Sequence, residues 1–167
     1  MRKLEGRVLH QGKGLETTIM MSEQLSAPSV LLVDDEVQPL QLRAEIMKLH
    51  GFSVLTADGP IKAISLMAKG AMEKIQVAIL DYNMPAMNGC LLAERLRSAF
   101  PELKTILYSG AIDIPSQEIT SVDVVVSKAD GIGTLMSQVM QFMQASVDHQ
   151  RVLAVETAYL VPSTHDL

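Results

Sequence analysis

Short apolar runs alternate with segments of helical spacing along most of the chain. The runs are rich in β-branched and aliphatic residues, and they predict five strands: Val30–Asp34, Phe52–Thr56, Gln76–Asp81, Lys104–Ser109 and Val122–Ser127. Continuous apolar runs of this length are typical of strands buried on both faces of a sheet. The pattern therefore predicts a sheet whose strands are covered on both sides.

The segments between these runs carry apolar residues three and four positions apart, which is typical of amphipathic helices. They predict four regular helices, which are the first, second, third and last in chain order: Glu36–His50, Pro60–Lys69, a helix capped by Asn88 and ending near Ser98, and Ile132–Val147. The segment after Ser109 contains Pro115 and a poor apolar period, so only a short or irregular fourth helix is expected near 116–120. Alternating strands and helices predict an α/β fold with a five-stranded doubly wound parallel sheet.

This alternation spans residues 29–147, which we interpret as one domain. Residues 1–28 show no sustained period and are expected to form a disordered N-terminal extension, with Met20 and Met21 as alternative starts to Met1. Residues 148–167 form a C-terminal tail that is more apolar than a typical disordered end. An extended last helix is slightly favoured for this tail over a partner-binding segment or a frayed end.

Composition narrows the function classes. The 167 residues are 48% hydrophobic and 20% charged, which fits one globular domain. A net charge of −5 argues against broad nucleic-acid binding, which needs clustered Lys and Arg. The single cysteine, Cys90, excludes an internal disulfide and fits a reducing cytosol. No apolar run reaches the roughly 20 residues that span a bilayer, so a cytoplasmic protein without membrane contact is expected.

Polar side chains follow four of the apolar runs at their carboxyl ends. Asp34 and Asp35 follow the first run, and Asp81 ends the third. Ser109 ends the fourth, and Lys128 follows the fifth. Ligands of open parallel sheets bind outside the carboxyl ends of the strands. These residues are therefore expected to converge on an acidic pocket with a hydroxyl and an ammonium at its rim.

Such a pocket suits a divalent cation and a phosphoryl group. Three carboxylates packed together repel one another unless a cation lies between them, and Mg²⁺ prefers oxygen ligands. Phosphoryl transfer needs charge neutralisation and positioning, which Lys128 and Ser109 can supply. An aspartate can accept the group as an acyl phosphate.

Four motifs in chain order carry a resemblance to a known family. Leu31–Glu36, Asp81–Gly89, Ser109–Ala111 and Ser127–Lys128 together resemble the receiver domain of bacterial two-component response regulators, over residues 29–147. Each motif alone is weak, whereas all four at successive strand ends are specific. The segment Asp81–Gly89 is most similar to the chemotaxis single-domain regulators.

The resemblance implies a Mg²⁺ site formed by the three aspartates and by Asn83. Asp35 corresponds to the direct metal ligand, and Asp34 to the acid that acts through water. Asp81 also binds the ion in this family, and Asn83 corresponds to the position whose backbone carbonyl coordinates it. Mg²⁺ is therefore the expected cofactor.

The resemblance also implies a phosphorylation site and its partners. Asp81 corresponds to the phosphoacceptor, and Ser109 and Lys128 to the residues that contact the phosphoryl group. The expected donor is a histidine kinase or a phosphotransfer protein, and the expected output is altered contact with an unknown downstream protein. A homodimer stays an open alternative, and neither nucleic acid nor membrane is an expected partner.

Three positions depart from the family pattern. Val125 replaces the aromatic residue that usually swings inward on activation, Ala129 replaces the proline after the lysine, and the fourth helix is short. All three departures lie on the face that commonly binds partners. Phosphorylation is therefore expected to act through Gly110–Ser121 and the Ser109 hydroxyl, without an aromatic switch.

The leading hypothesis is a stand-alone response regulator, and two alternatives to it remain. A pseudo-receiver that acts as a constitutive adaptor would explain the altered face. A phosphatase of the haloacid dehalogenase type also uses a strand-end aspartate, but it needs a second aspartate where this chain has Asn83. The chain is therefore not expected to be an enzyme beyond its own phosphorylation and dephosphorylation.

Overall fold

The computed structural model describes residue 27 and residues 29–111 and 113–160, with residues 146–160 as backbone alone. A single parallel sheet has the strand order β2-β1-β3-β4-β5. Its strands are β1 Ser29–Val33, β2 Ser53–Ala57, β3 Ile75–Leu80, β4 Lys104–Ser109 and β5 Val124–Ser127. This is the flavodoxin-like order of a doubly wound sheet, and it confirms the predicted fold class.

The described residues include four α-helices: α1 Val37–Leu49, α2 Pro60–Ala68, α3 Gly89–Ala99 and α4 Gly131–Leu160. Helix α4 continues to Leu160, beyond its predicted end at Val147. Residues 1–26 and 28 of the predicted N-terminal extension lie outside the described residues, as do residues 161–167 of the tail. Within the described part of the chain, none of the helices combines the length and apolar character that crossing a bilayer would require.

A 3₁₀ turn, Ile119–Ser121, lies where the sequence predicts the short helix near residues 116–120. This confirms the prediction of a short or irregular helix there. The next strand begins at Val124, two residues later than predicted. The reason is that Val122 closes the 3₁₀ turn, while the Asp123 carboxylate accepts hydrogen bonds from the backbone and hydroxyl of Thr105 at 2.8 and 2.9 Å.

The sheet divides the core into two layers, because alternate side chains of a strand point to opposite faces. Val30 and Leu32 of β1 pack in the layer covered by α1 and α4. Leu31 and Val33 pack in the layer covered by α2 and α3. All four are at most 2% exposed, which explains why β1 has an uninterrupted apolar sequence.

Strand register aligns the carboxyl ends that carry the polar residues. Val33 lies opposite Leu80 in the β1–β3 pair, and Ser109 lies opposite Ser127 in the β4–β5 pair. The backbone N–H of Asp81 donates to the Val33 carbonyl at 2.9 Å. The residues that follow β1 and β3 therefore emerge side by side at one edge of the sheet.

The start of α3 holds the loop after Asp81 against the sheet. As predicted, Asn88 caps this helix, because its Oδ1 accepts from the Leu91 backbone N–H at 2.9 Å. Gly89 then lies directly on the Asp81 carbonyl, and a Cβ at this position would be 2.2 Å from that oxygen. Only glycine therefore allows the helix to approach the strand end so closely.

Candidate functional site

Three carboxylates converge at the carboxyl edge of the sheet. Asp34, Asp35 and Asp81 each offer an oxygen, and these oxygens lie within 4.8 Å of one another. Asp34 and Asp81 are buried, whereas Asp35 is exposed. Grouped oxygen ligands with one side open to solvent fit a hard divalent cation that keeps several waters. These residues could therefore hold Mg²⁺.

Lys128 spans two of these carboxylates. Its Nζ lies 2.8 Å from Asp81 Oδ1 and 3.1 Å from Asp34 Oδ2. The lysine follows β5, and its side chain crosses the sheet edge to reach groups that follow β1 and β3. The structure thus brings together four of the predicted site residues.

The electrostatics of the pocket favour positive charge. Burial raises the pKa of Asp81, the neighbouring Asp34 and Asp35 raise it further, and Lys128 only partly offsets them. Burial alone would lower the pKa of Lys128, but its contacts with Asp81 and Asp34 outweigh that effect and raise it. Lys128 is therefore charged at neutral pH, and an added cation would relieve the remaining repulsion among the acids.

Ser109 and Asn83 are the remaining predicted site residues, and they differ in burial. Ser109 is buried at the end of β4, and its Oγ accepts from the Ala111 backbone N–H at 3.0 Å. That contact leaves the hydroxyl hydrogen available for an acceptor. Asn83 lies two residues after Asp81 in the loop before α3, with an exposed side chain. Its role as a carbonyl ligand stays a prediction.

Arg43 is a site residue that the sequence reasoning missed. It extends from α1, donates to Asp34 Oδ2, and lies with its guanidinium carbon 5.6 Å from the centre of the Tyr108 ring. Its side chain is only 13% exposed. A signal was present, because position 43 falls between Leu40 and Met47 on the helix face predicted to be buried. A cation on such a face indicates a buried acidic partner.

Glu118 is a second missed residue, and it ties the segment before the 3₁₀ turn to the loop after Asp81. Its Oε2 accepts from Tyr82 Oη at 2.9 Å and from Asn88 Nδ2 at 2.8 Å. The hydrogen bond to Glu118 raises the pKa of Tyr82. Nearby, Ser121 Oγ donates to the Cys90 carbonyl at 2.9 Å. The sequence carries no local signal for this pairing, since Tyr82 and Glu118 are 36 residues apart.

The family profile named Response regulator receiver domain matches residues 30–132, more than half of the chain. The chain belongs to the response regulator receiver domain family. Similar sequences include the putative two-component response regulator ARR21 of Arabidopsis thaliana, 31% identical over 82 residues. The C4-dicarboxylate transport transcriptional regulatory protein DctD of Rhizobium meliloti is 30% identical over 90 residues. These alignments cover 49% and 54% of this chain but only 13% and 19% of those proteins.

Solved receiver structures share the fold. The response regulator TrrA of Thermotoga maritima, solved in complex with Mg²⁺ and BeF, superposes with a TM-score of 0.63 at 24% identity, over 69% of this chain and 98% of that one. TrrA in complex with the histidine kinase ThkA superposes with a TM-score of 0.61 at 25% identity, over 69% of this chain and 97% of that one. Receiver domains are signalling domains that bind Mg²⁺ at an acidic pocket, and this chain has an acidic cluster at its sheet edge.

Proposed function

We propose that this chain is a phosphoacceptor receiver domain in which Asp81 receives a phosphoryl group from a histidine kinase or phosphotransfer protein. The observation that carries the proposal is the bridge from Lys128 Nζ to Asp81 and Asp34 within a cluster of three carboxylates. That arrangement combines a nucleophile, a cation site and a positive charge. The likeness of this chain to a receiver solved with a histidine kinase supports the identity of the donor.

Mg²⁺, when bound, would neutralise the charge that builds up on the phosphoryl oxygens. Asp34, Asp35, Asp81 and the backbone carbonyl of Asn83 would hold it. A carboxylate oxygen of Asp81 attacks phosphorus in line, and the bond from phosphorus to the donor's imidazole nitrogen breaks. The electron pair of that bond stays on the nitrogen.

The remaining residues bind the transferred group. Lys128 faces Asp81 Oδ1 and can move its ammonium onto a phosphoryl oxygen. The Ser109 hydroxyl can donate its hydrogen to a second phosphoryl oxygen. A donor can reach the site from the exposed side of Asp35, where a cavity of about 510 Å³ opens between Gly59, Lys62 and Pro85.

The direct test is labelling with acetyl phosphate and Mg²⁺, followed by mapping of the acyl phosphate. We expect one label on Asp81, and its loss in Asp81→Asn. Asp58→Asn is the matched control, because Asp58 is an exposed acid that lines the neighbouring cavity. Full labelling of Asp81→Asn would refute the assignment.

We infer that the output is altered protein contact, transmitted through Gly110–Ser121. Val125 is 41% exposed and has no long side chain to swing inward. Glu118 connects the segment directly to Tyr82, the neighbour of the phosphoacceptor. Hydrogen exchange with and without beryllofluoride tests this readout. Protection should rise in the described part of Gly110–Ser121 and change little near Val125.

The constitutive adaptor is the second candidate, and the replacements at Val125 and Ala129 are the observations that favour it. A folded protein that takes no label from acetyl phosphate, and whose Gly110–Ser121 segment does not respond to beryllofluoride, would make the adaptor the better assignment. Multiple turnover of a phosphomonoester would instead indicate a phosphatase, which Asn83 disfavours.

A further inference from the structure

Arg43, the partly buried cation on α1, has no part in the roles assigned above. Arg43 and Lys128 both donate to the same oxygen of Asp34, Oδ2, while the Glu36 backbone N–H donates to Oδ1 at 2.9 Å. The Asp34 side chain is 3% exposed. Burying a carboxylate this deeply is costly unless positive charge and hydrogen bonds are paired with it.

The two cations differ in how firmly they are held. Arg43 is 13% exposed, and its guanidinium lies over the Tyr108 ring, a favourable position for a cation. Lys128 is 27% exposed, on a flexible stem, and shares its ammonium between Asp34 and Asp81. Arg43 is therefore a fixed partner of Asp34, whereas Lys128 is a partner that can leave.

The fixed positive charge of Arg43 beside Asp34 also affects a bound cation. Three carboxylates face the site, and Arg43 neutralises part of the charge of one of them from the protein side. Mg²⁺ would lie among the same carboxylate oxygens, so the guanidinium opposes its binding by Coulomb repulsion. Removing the guanidinium charge should make the site more attractive to the ion.

We propose that Arg43 is a positioning residue with two effects, an inference that rests on the proposed phosphoacceptor function. It lowers the Mg²⁺ affinity of the unphosphorylated site, and it keeps Asp34 paired when Lys128 moves to the phosphoryl group. The first effect makes metal occupancy sensitive to Mg²⁺ concentration. The second allows Lys128 to change partners without leaving a buried carboxylate unpaired.

The first effect is tested by calorimetric titration of metal-free protein with MgCl₂ at constant ionic strength. We expect Arg43→Met to bind Mg²⁺ about fivefold more tightly than wild type, by the Coulomb effect of one removed charge. Arg43→Gln, which keeps a donor but loses the charge, should shift the affinity in the same direction and serves if the Met variant does not fold. Arg43→Lys, which restores the charge, should return it toward wild type.

Arg95→Met is the matched control, since Arg95 is an exposed arginine on α3 and its loss should leave the affinity unchanged. Equal or weaker Mg²⁺ binding by folded Arg43→Met and Arg43→Gln would overturn the inference while leaving the proposed function intact. A wild-type protein that binds no Mg²⁺ would instead overturn the proposed function, and this inference with it.

The second effect is tested without metal or phosphate, by a double-mutant cycle in urea unfolding. Lys128→Met should destabilise the Arg43→Met background more than it destabilises wild type, because only the double variant leaves Asp34 without a side-chain cation among the described residues. Additive effects of the two substitutions would show that Arg43 does not substitute for Lys128 at Asp34.

Discussion

Gly89→Ala tests whether the close approach of α3 to the phosphoacceptor strand holds Asp81 in place. The added Cβ would lie 2.2 Å from the Asp81 carbonyl oxygen and 2.7 Å from Leu107 Cδ1. Ordinary contact begins at 3.4 Å, so the helix and the backbone of Asp81 must separate by about 1.2 Å. The backbone has little freedom to yield, because the Asp81 N–H is bonded to the Val33 carbonyl at 2.9 Å.

The expected cost follows from this overlap. Overpacking of a close-packed site typically costs about 1–3 kcal/mol of the free energy of unfolding. Gly133→Ala is the matched control, since Gly133 is an exposed position in α4, and among the described residues no atom beyond the adjacent backbone of its own helix lies within 4 Å of the added Cβ. There the same substitution should stabilise by about 0.5–1 kcal/mol, because alanine loses less backbone entropy than glycine in a helix.

Urea unfolding followed by circular dichroism measures both changes, which should have opposite signs. Phosphorylation by acetyl phosphate should also slow at least about tenfold in Gly89→Ala, since a displacement of about 1 Å at a reacting group can cost 10²-fold. Gly133→Ala should be phosphorylated at the wild-type rate. A Gly89→Ala protein with wild-type stability and wild-type labelling would refute the reasoning.

Three further predictions concern the site and its connections. In metal-free protein, Asp81→Asn should raise the free energy of unfolding at pH 7, because the raised pKa of Asp81 means that its ionised form is disfavoured in the folded state. In wild type, protonated Asp81 stabilises the folded state below its ordinary pKa of 3.8, and this contribution is lost as the pH rises through the raised pKa. The stability gained by Asp81→Asn should therefore shrink on acidification in urea titrations, and a gain independent of pH would contradict the assignment. Lys128→Ala should retain Mg²⁺ binding by calorimetry but lose the beryllofluoride-induced protection in the described part of Gly110–Ser121, and loss of metal binding with the fold intact would contradict these roles. Glu118→Gln should lower the pKa of Tyr82 toward 10.0 in an ultraviolet titration, because the carboxylate raises it, and an unchanged titration curve would show that the contact is not made in solution.

Much of the candidate site follows from local sequence. A polar residue at the end of a buried apolar run lies at the end of a strand, and parallel strands place those ends on one edge of the sheet. This reasoning predicts that Asp34, Asp81, Ser109 and Lys128 lie at one edge, and the structure places all four there. The Asn88 cap was also predictable, because the capping hydrogen bond joins residues three positions apart.

The contacts of Arg43 and Glu118 depended on the tertiary structure. Whether Arg43 reaches Asp34 depends on how α1 packs against β1 and β4, and the helical period shows only that position 43 faces inward. Glu118 meets Tyr82 because the 3₁₀ turn packs beside the start of α3, a contact between segments that are 36 residues apart. Local residue patterns determine the elements and the residues at their ends. The packing of those elements determines which distant side chains come within hydrogen-bonding distance, because that distance is small compared with the range of positions a helix can take on a sheet.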